Sequence, residues 1–457
     1  MASTVDKSDF TKGSIPNNII RMAIPLTIAL LVNALYSIVD RIYLGHIPGA
    51  GAFALTGVGL AFPIITIVTS FQNLFGNGGA PVFAMASGKG DKKLASKYMN
   101  TAAIMLLVMG VALTIIGFLV KEDVLWMIGA SNDTFDYANE YLDVYLLGTV
   151  FVMISLGLNP YINAQGHPKV GMATVLIGAV INIILDPVFI FVLNMGVKGA
   201  AIATIISQFF SAIWVLFFLF KQAPLKLDFS GFKLELPILK KIIGLGLIDF
   251  CFAVTNSAVS MICNARLQFL GGDSWVASMT VISSLREVLL TVNHGLTGGA
   301  SPSISYNYGA NRYDRVKGTR RWLFGIMMCY FLMVWALTMF APGMLAGLFC
   351  SDPVVYECCK VAIRLFFCLQ FFMVFQSVGQ TTFKSLGMSK YGLFFSLFRK
   401  VILVIPLVYL LPNIAGLGVY GVFLSEPTSD IVGGLSCYFT MRNVTKRKFA
   451  REASIES

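Results

Sequence analysis

The sequence predicts an all-α polytopic membrane protein, with twelve transmembrane helices in two six-helix pseudo-symmetric lobes. Its composition is the first support. Of 457 residues, 56% are hydrophobic and 12% are charged, and the mean hydropathy is +0.76. About 25% of the residues in soluble domains are charged. This chain has too few charged side chains to cover a water-exposed body, so we expect it to lie in a bilayer.

Long apolar stretches are the second support, because a helix needs about 20 residues to cross a bilayer. Twelve stretches meet this requirement, and the Pro and Gly inside several of them are tolerated in membrane helices. The predicted spans are 17–44, 53–80, 94–120, 136–163, 168–192, 198–221, 238–269, 274–306, 315–348, 355–384, 390–411 and 417–441.

An internal repeat is the third support. When the sequence is displaced on itself by 221 residues, the turn at 166–169 aligns with the turn at 387–390, and Pro81 aligns with Pro302. Internal repeats with a substrate cavity at their interface are typical of transporters. The predicted segments are a cytoplasmic N-terminus 1–16, an N-lobe 17–221, a cytoplasmic linker 222–237, a C-lobe 238–441 and a basic cytoplasmic tail 442–457.

The distribution of basic residues predicts the orientation, because Lys and Arg collect in cytoplasmic loops. Most of the 34 Lys and Arg residues lie at the two termini or in loops after even-numbered spans. We therefore expect a bacterial inner-membrane protein with both termini in the cytoplasm. The net charge of +11 reflects this orientation, and we do not expect nucleic-acid binding.

Polar residues inside the N-lobe spans form two groups. Asn33, Tyr36 and Asp40 are spaced i, i+3 and i+7, so they share one helix face. Asn182 and Asp186 are spaced i, i+4 and also share a face. Counted along the helix, Asp186 lies roughly 27 Å above the cytoplasmic end, a depth similar to that expected for Asp40. A carboxylate inside a bilayer is costly, so each one is a candidate functional group.

Thr204 enters from the outer side and reaches the same level after about 9 Å. Carboxylate, amide and hydroxyl oxygens suit Na⁺, and two adjacent carboxyl groups can also share a proton. The repeat places Met261 opposite Asp40, so we expect the ion site in the N-lobe alone. Two structural alternatives stay open: Asp40 pairs with Arg41, or Asp186 caps a helix break before a proline.

The C-lobe acids are weaker candidates for contact with substrate. Glu287 stands beside Arg286, and it either contacts a cationic substrate or pairs locally. Glu426 and Asp430 are spaced i, i+4 on the last span, where Glu426 is a candidate cavity residue.

Sequence motifs for other chemistry are missing. The chain has no phosphate-binding loop and no zinc-protease or nucleophile-elbow motif, so we expect neither ATP hydrolysis nor any other enzyme activity. The eight cysteines and three histidines show no metal-ligand spacing. We expect no cofactor apart from a coupling ion, H⁺ or Na⁺.

Three segments, VDRIYLG at 39–45, NIILDP at 182–187 and YNYGA at 306–310, resemble the multidrug and toxic compound extrusion (MATE) family. The resemblance spans nearly the whole chain and is greatest to the bacterial branch related to MepA and DinF. It implies a V-shaped pair of lobes that rock between inward- and outward-facing states. It also implies H⁺ or Na⁺ antiport against amphipathic, often cationic, drugs.

The resemblance also assigns residues. In the DinF-like branch, an acid on helix 1, an Asn and an Asp on helix 5 and a Thr on helix 6 bind the ion. The matching residues here are Asp40, Asn182, Asp186 and Thr204. Tyr141 and Asn159 match residues around that cavity.

Two departures from the family pattern stand out. Arg41 follows the helix 1 acid, where it could tune or block the charge of that acid. Gly246 stands in helix 7 where helix 1 has Pro25, so we expect no matching kink.

The function we expect is secondary active efflux of amphipathic, cationic small molecules by a monomer in the lipid bilayer. One alternative is a flippase of a lipid-linked precursor. The cavities of such flippases use basic residues to bind pyrophosphate, and here we expect only Arg266 and Arg286 at mid-helix. The other alternative is a membrane-embedded lipid-modifying enzyme.

Overall fold

The computed structural model describes residues 9–48, 50–349, 352–414 and 416–456, and within these ranges the chain is helical and has no β-strand. Helices are the expected form because a backbone in lipid must satisfy its polar groups within its own segment. Their apolar side chains also remain exposed along the helix surfaces, as a lipid-facing surface requires.

Up to residue 222, the described residues form eight α-helices. α7 and α8 each continue into a short π-helical segment, Val188–Val192 and Phe218–Gln222. The helices are α1 (Ile15–Gly45), α2 (Gly51–Gly88), α3 (Lys92–Ile128), α4 (Asn132–Leu147), α5 (Thr149–Gly157), α6 (Asn159–Ala164), α7 (Pro168–Pro187) and α8 (Gly196–Phe217).

From residue 236 onward, the part of the chain that the structure describes forms nine α-helices. A π-helical segment, Phe398–Val404, lies between α15 and α16. The helices are α9 (Leu236–Gly271), α10 (Asp273–Gly309), α11 (Tyr313–Phe340), α12 (Pro342–Gly347), α13 (Pro353–Phe367), α14 (Met373–Ser385), α15 (Ser389–Leu397), α16 (Ile405–Leu410) and α17 (Val419–Glu456).

The all-α polytopic fold is confirmed. In the described ranges, ten helices are long and apolar enough to cross a membrane, and α4 with the helices after it forms one further span bent by 58°. The twelfth predicted span, 417–441, corresponds to the first part of α17, which begins at Val419 and which the buried Glu426 and Asp430 make less apolar than the others. The predicted spans 315–348 and 355–384 are interrupted, the first before Pro342 and the second by a 3₁₀ turn at Gln370–Phe372.

The chain divides into two compact units. The first contains the described residues up to Lys12 and Ile24–Asp249, and the second contains Gly13–Ala23 and the described residues from Phe250 onward. In the first unit, α2 packs against α3 and α4, and α7 packs against α8. The second unit has two apolar cores, one around Phe331 and Phe383 and the other around Ile282 and Phe367.

The segment predicted as a basic tail is helical over its described part, because α17 runs on to Glu456. Its side chains pack within the second unit. Phe449 stacks on Tyr313 with ring centroids 4.7 Å apart, and the Tyr308 hydroxyl donates to Glu452 Oε1 at 2.6 Å.

Candidate ion-coupling site

Three helices of the first unit bring the predicted acidic site together. Asp40 lies near the end of α1, Asn182 and Asp186 lie on α7, and Thr204 lies on α8. Asp186 is 0% exposed and Asn182 is 1% exposed, although both side chains are polar. Burial of this kind requires partners for the polar atoms, because an unpaired buried polar group is costly.

The amide of Asn182 links α7 to α8. Its Nδ2 donates to Asp186 Oδ1 at 3.1 Å and to Thr204 Oγ1 at 3.4 Å. The carboxyl groups of Asp40 and Asp186 lie within hydrogen-bonding reach of each other. The four predicted residues therefore form one connected group, with two carboxyls, an amide and a hydroxyl.

Three oxygens of this group have no hydrogen-bond partner among the described residues: Asp40 Oδ1, Asn182 Oδ1 and Asp186 Oδ2. All three are acceptors. Two adjacent carboxylates repel each other when both are ionised, so a cation or a proton bound between them would lower the energy. The donor set suits either ion, since carboxylate and amide oxygens bind hard cations and a carboxyl pair can share a proton.

Tyrosines surround the acids. Tyr36 interacts electrostatically with both Asp40 and Asp186. Tyr141 is 5% exposed, and its hydroxyl interacts with Thr204. Tyr141 stacks on Tyr145 with ring centroids 6.0 Å apart. The acids are therefore enclosed in part by aromatic rings that carry hydroxyl groups.

A small cavity is lined by Asn33 and Tyr36 of α1, together with residues of α5, α7 and α8. The space open to the centre of a water molecule is about 10 Å³, which is enough for about one water. The predicted face of α1 therefore connects this cavity, through Tyr36, with Asp40.

Asn159 lies elsewhere. Its Nδ2 donates to the Gly171 carbonyl at 2.9 Å, and its Oδ1 accepts from Asn163 at 3.4 Å. Gly171 lies eleven residues before Asn182 on α7, which separates them by about 17 Å. Asn159 therefore joins α6 to α7 and is not brought to the acids, and its predicted contact with substrate stays a prediction.

Arg41 interacts electrostatically with Asp40, but the described residues show neither the direct ion pair nor the helix break that the two structural alternatives require. The guanidinium of Arg41 lies over the ring of Phe62, 4.6 Å from its centroid, and no ion pair joins Arg41 to Asp40 among the described side chains. The helix does not break at Pro187, because a π-helical segment continues it to Val192. Asp186 therefore does not cap a helix break.

In the second unit, the predicted residues have different surroundings. Glu287 is exposed, and its carboxyl has no ion pair within the described chain. Glu426 is 6% exposed and contacts three cations: Lys400 Nζ at 2.5 Å, Arg399 Nη1 at 3.2 Å and Arg286 Nη1 at 3.8 Å. Ion pairs account for the burial of Glu426, and its predicted role in lining a substrate cavity stays a prediction.

The inference that only Arg266 and Arg286 are basic at mid-helix was wrong. Arg399 and Lys400 lie in the π-helical segment before α16 and are 2% and 0% exposed. They were visible in the sequence as two adjacent charges inside the apolar stretch 390–411. Arg399 and Lys400 bind Glu426, and Arg399 also binds Asp430, so these cations are already neutralised in part.

The fold and the site together define a class of protein: a multi-pass helical membrane protein with a buried acidic group formed by three helices. The family model described as MatE matches residues 25–188 and 249–410, which is most of the chain, and the chain belongs to this family, the MATE transporters.

The similar proteins include multidrug exporters. The chain is 26% identical over 348 residues to the multidrug export protein MepA of Staphylococcus haemolyticus, covering 76% of each chain. It is 24% identical over 361 residues to MepA of Staphylococcus aureus (strain NCTC 8325), covering 78% of each. A crystal structure of a MATE protein in its bent conformation has the same fold, with a TM-score of 0.91 at 23% identity, covering 98% of this chain and 100% of that one.

Proposed function

We propose that this chain is a secondary active multidrug efflux transporter that exports amphipathic, cationic small molecules in exchange for H⁺ or Na⁺. The buried group of Asp40, Asn182, Asp186 and Thr204 supports the proposal most strongly, because it contains three acceptor oxygens without partners. Membership of the MATE family and similarity to exporters named for multidrug export support the same function.

In the proposed cycle, the same negative charges attract both the coupling ion and the cationic substrate. A coupling ion from outside binds Asp40 and Asp186, neutralises them and changes the packing of α1. The substrate then loses its electrostatic attraction and leaves outward. After the protein returns to the inward-facing state, the ion dissociates and a new substrate binds. Because ion and substrate bind the two states differently, the ion gradient drives export.

The flippase alternative gains no support from Arg399 and Lys400. Both side chains already contact Glu426, so they are not free to bind a pyrophosphate group.

The test is efflux of ethidium from proteoliposomes containing the purified protein. A pH gradient alone, a Na⁺ gradient alone and no gradient are imposed in separate experiments. We expect one gradient to drive efflux in the unmodified protein and to identify the coupling ion. Asp40→Asn and Asp186→Asn remove the negative charge and keep the side-chain shape, so gradient-driven efflux should fall by at least about tenfold, which corresponds to a loss of about 1.4 kcal/mol in ion binding.

Asp136→Asn is the matched control, because Asp136 is an exposed acid on α4 outside the group. It should transport like the unmodified protein. Full gradient-driven efflux by Asp40→Asn and Asp186→Asn would refute the proposed site. A folded, unmodified protein that responds to neither gradient would refute antiport of this substrate class.

A further inference from the structure

A second group of buried charges lies in the second unit, far along the chain from the acidic site. We call it the C-terminal charge cluster; its members are Arg286 on α10, Arg399 and Lys400 on the π-helical segment before α16, and Glu426 and Asp430 on α17. Four of the five side chains are nearly inaccessible, and Arg286 is 14% exposed. The efflux mechanism proposed above does not use this cluster.

Lys400 is the most enclosed member. Its Nζ donates to Glu426 Oε1 at 2.5 Å, and its side chain is 0% exposed. Arg399 Nη1 donates to Glu426 Oε2 at 3.2 Å and also to Asp430. Every carboxylate in the cluster therefore already has a cationic partner.

Cations outnumber carboxylates in this cluster by three to two. An uncompensated charge buried in a membrane protein is costly, and such a group loses its charge unless it is paired. Arginine cannot be deprotonated in proteins, whereas a buried lysine can lose its proton. We call the cluster closed when water does not reach it, as its burial here indicates. Of the three cations, only Lys400 can then restore neutrality, by losing its proton.

The side chains packed around Lys400 do not alter this charge count. The charged groups that act most strongly on Lys400 are Arg286, Glu426 and Arg399, and Asp430 also interacts with it. Cys263 of α9 faces Lys400 and Glu426, and it carries no charge as a thiol. Cys437 of α17 lies near Arg399, and its thiol also carries no charge.

Two further groups stand at the margin of the cluster. Cys368, which follows α13, lies near Asp430, and it is also neutral as a thiol. Glu287 is exposed, and as the sequence neighbour of Arg286 it lies on a different face of α10. Neither group adds a compensating negative charge.

We propose that Lys400 is a second proton-exchange site. Its amine is neutral while the C-terminal charge cluster is closed, and it takes up a proton when water reaches the cluster past the partly exposed Arg286. A proton fits a fully enclosed amine because it needs no cavity. The proposal rests on the chain being a transporter, but it does not depend on which ion binds Asp40 and Asp186.

The test measures how many protons move per substrate molecule. In proteoliposomes, the pH gradient that just stops net flux is determined at several substrate gradients, and the slope gives the coupling number. Lys400→Gln keeps a hydrogen-bond donor for Glu426 but has no proton to exchange. We expect its coupling number to be lower by one than that of the unmodified protein. Lys390→Gln, at an exposed position in α15, should leave the number unchanged.

An equal coupling number in Lys400→Gln and the unmodified protein would overturn the proposal. Lys400→Met is the second neutral variant. If neither neutral variant folds while Lys390→Gln does, the cluster needs the positive charge of Lys400, and the proposal is also overturned.

A transport-independent measurement separates this proposal from the efflux proposal. Difference acid–base titration of the purified proteins, between about pH 6 and pH 9, should show one proton-binding group fewer in Lys400→Gln than in Lys390→Gln. Loss of coupling in Asp40→Asn with this difference intact would support both proposals. If the unmodified protein shows no transport but Lys400→Gln still binds one proton fewer than Lys390→Gln, only the efflux proposal is refuted. If the two variants bind the same number of protons, the proposed proton site is overturned.

Discussion

Asn182 is the residue that joins the acidic group, because one amide nitrogen donates both to Asp186 on its own helix and to Thr204 on the next. Its carbonyl oxygen has no partner within the described chain, so it can accept or coordinate an incoming ion. The amide therefore orients one carboxylate and offers a ligand of its own.

We predict that Asn182→Ala raises the ion concentration for half-maximal efflux by about tenfold or more, with the maximal rate within about threefold of normal. A hydrogen bond to a charged group contributes about 1.5–3 kcal/mol, and 1.4 kcal/mol is tenfold in affinity. Efflux rates at a series of ion concentrations measure this. The exposed Asn132→Ala is the control. An unchanged ion dependence in Asn182→Ala would show that the amide does not contribute to ion binding.

The sequence was sufficient to predict the residues of the acidic group and insufficient to predict the charge cluster. The i, i+4 spacing of Asn182 and Asp186 already implied one helix face, and the depth of Thr204 implied that it could reach them. Two partners of Glu426, Arg399 and Lys400, lie 27 and 26 positions away along the chain and reach it through packing of α17 on the π-helical segment. The pair Arg399-Lys400 was nevertheless a readable signal, since two charges inside an apolar span need partners.

At the scale of elements, the glycine at position 246 has a packing role. The repeat places Gly246 of α9 at the position of Pro25 in α1, and the change of residue predicts that α9 lacks a kink like that of α1. In the structure, a Cβ on Gly246 would collide with the backbone carbonyl of Leu74, and one on Gly78 would collide with that of Ile242. Small residues that allow two backbones to approach closely are typical of membrane helix crossings. The glycines therefore set the distance between α2 and α9.

We predict that Gly246→Ala lowers the melting temperature of the purified protein by several degrees, because overpacking a tight contact costs about 1–3 kcal/mol. The matched control is Gly59→Ala on α2, where a Cβ would have no neighbour within 4 Å. Alanine has the higher helix propensity, so this control should melt at the same temperature or higher. Equal melting temperatures for the two variants would mean that the crossing can widen without cost.

Helix interruptions were the least predictable feature of the elements. The 58° bend between α4 and the helices that follow it occurs at Gly148. The hydropathy pattern predicts one continuous span there and gives no sign of a bend. The helix continues past Pro187 as the predicted span 168–192 requires, but it continues in π-helical form, which the hydropathy pattern does not indicate. Such details depend on which neighbouring helices satisfy the freed backbone groups, and hydropathy contains no information about neighbours.

At the scale of the whole molecule, the orientation in the membrane decides whether the proposed antiport exports or imports. The described basic side chains cluster after α2, α8 and α10 and along the last turns of α17, whereas the turn after α3 contains no basic residue from Gly129 to Ser131. Basic loops stay on the cytoplasmic side during insertion, so the turn after α2 should be cytoplasmic and the turn after α3 external.

We predict that alkaline phosphatase fused after Ala130 is active in bacterial cells, because this enzyme folds only outside the cytoplasm, where its disulfides form. The same enzyme fused after Gly90, between α2 and α3, should be inactive, and a fluorescent protein fused at the C-terminus should fluoresce in the cytoplasm. Replacing Lys89, Lys92 and Lys93 with Gln in the Ala130 fusion should lower its phosphatase activity, since it weakens the charge that retains this loop. Activity after Gly90 but not after Ala130 would reverse the orientation, and an inward ion gradient could then not drive export by the cycle proposed here.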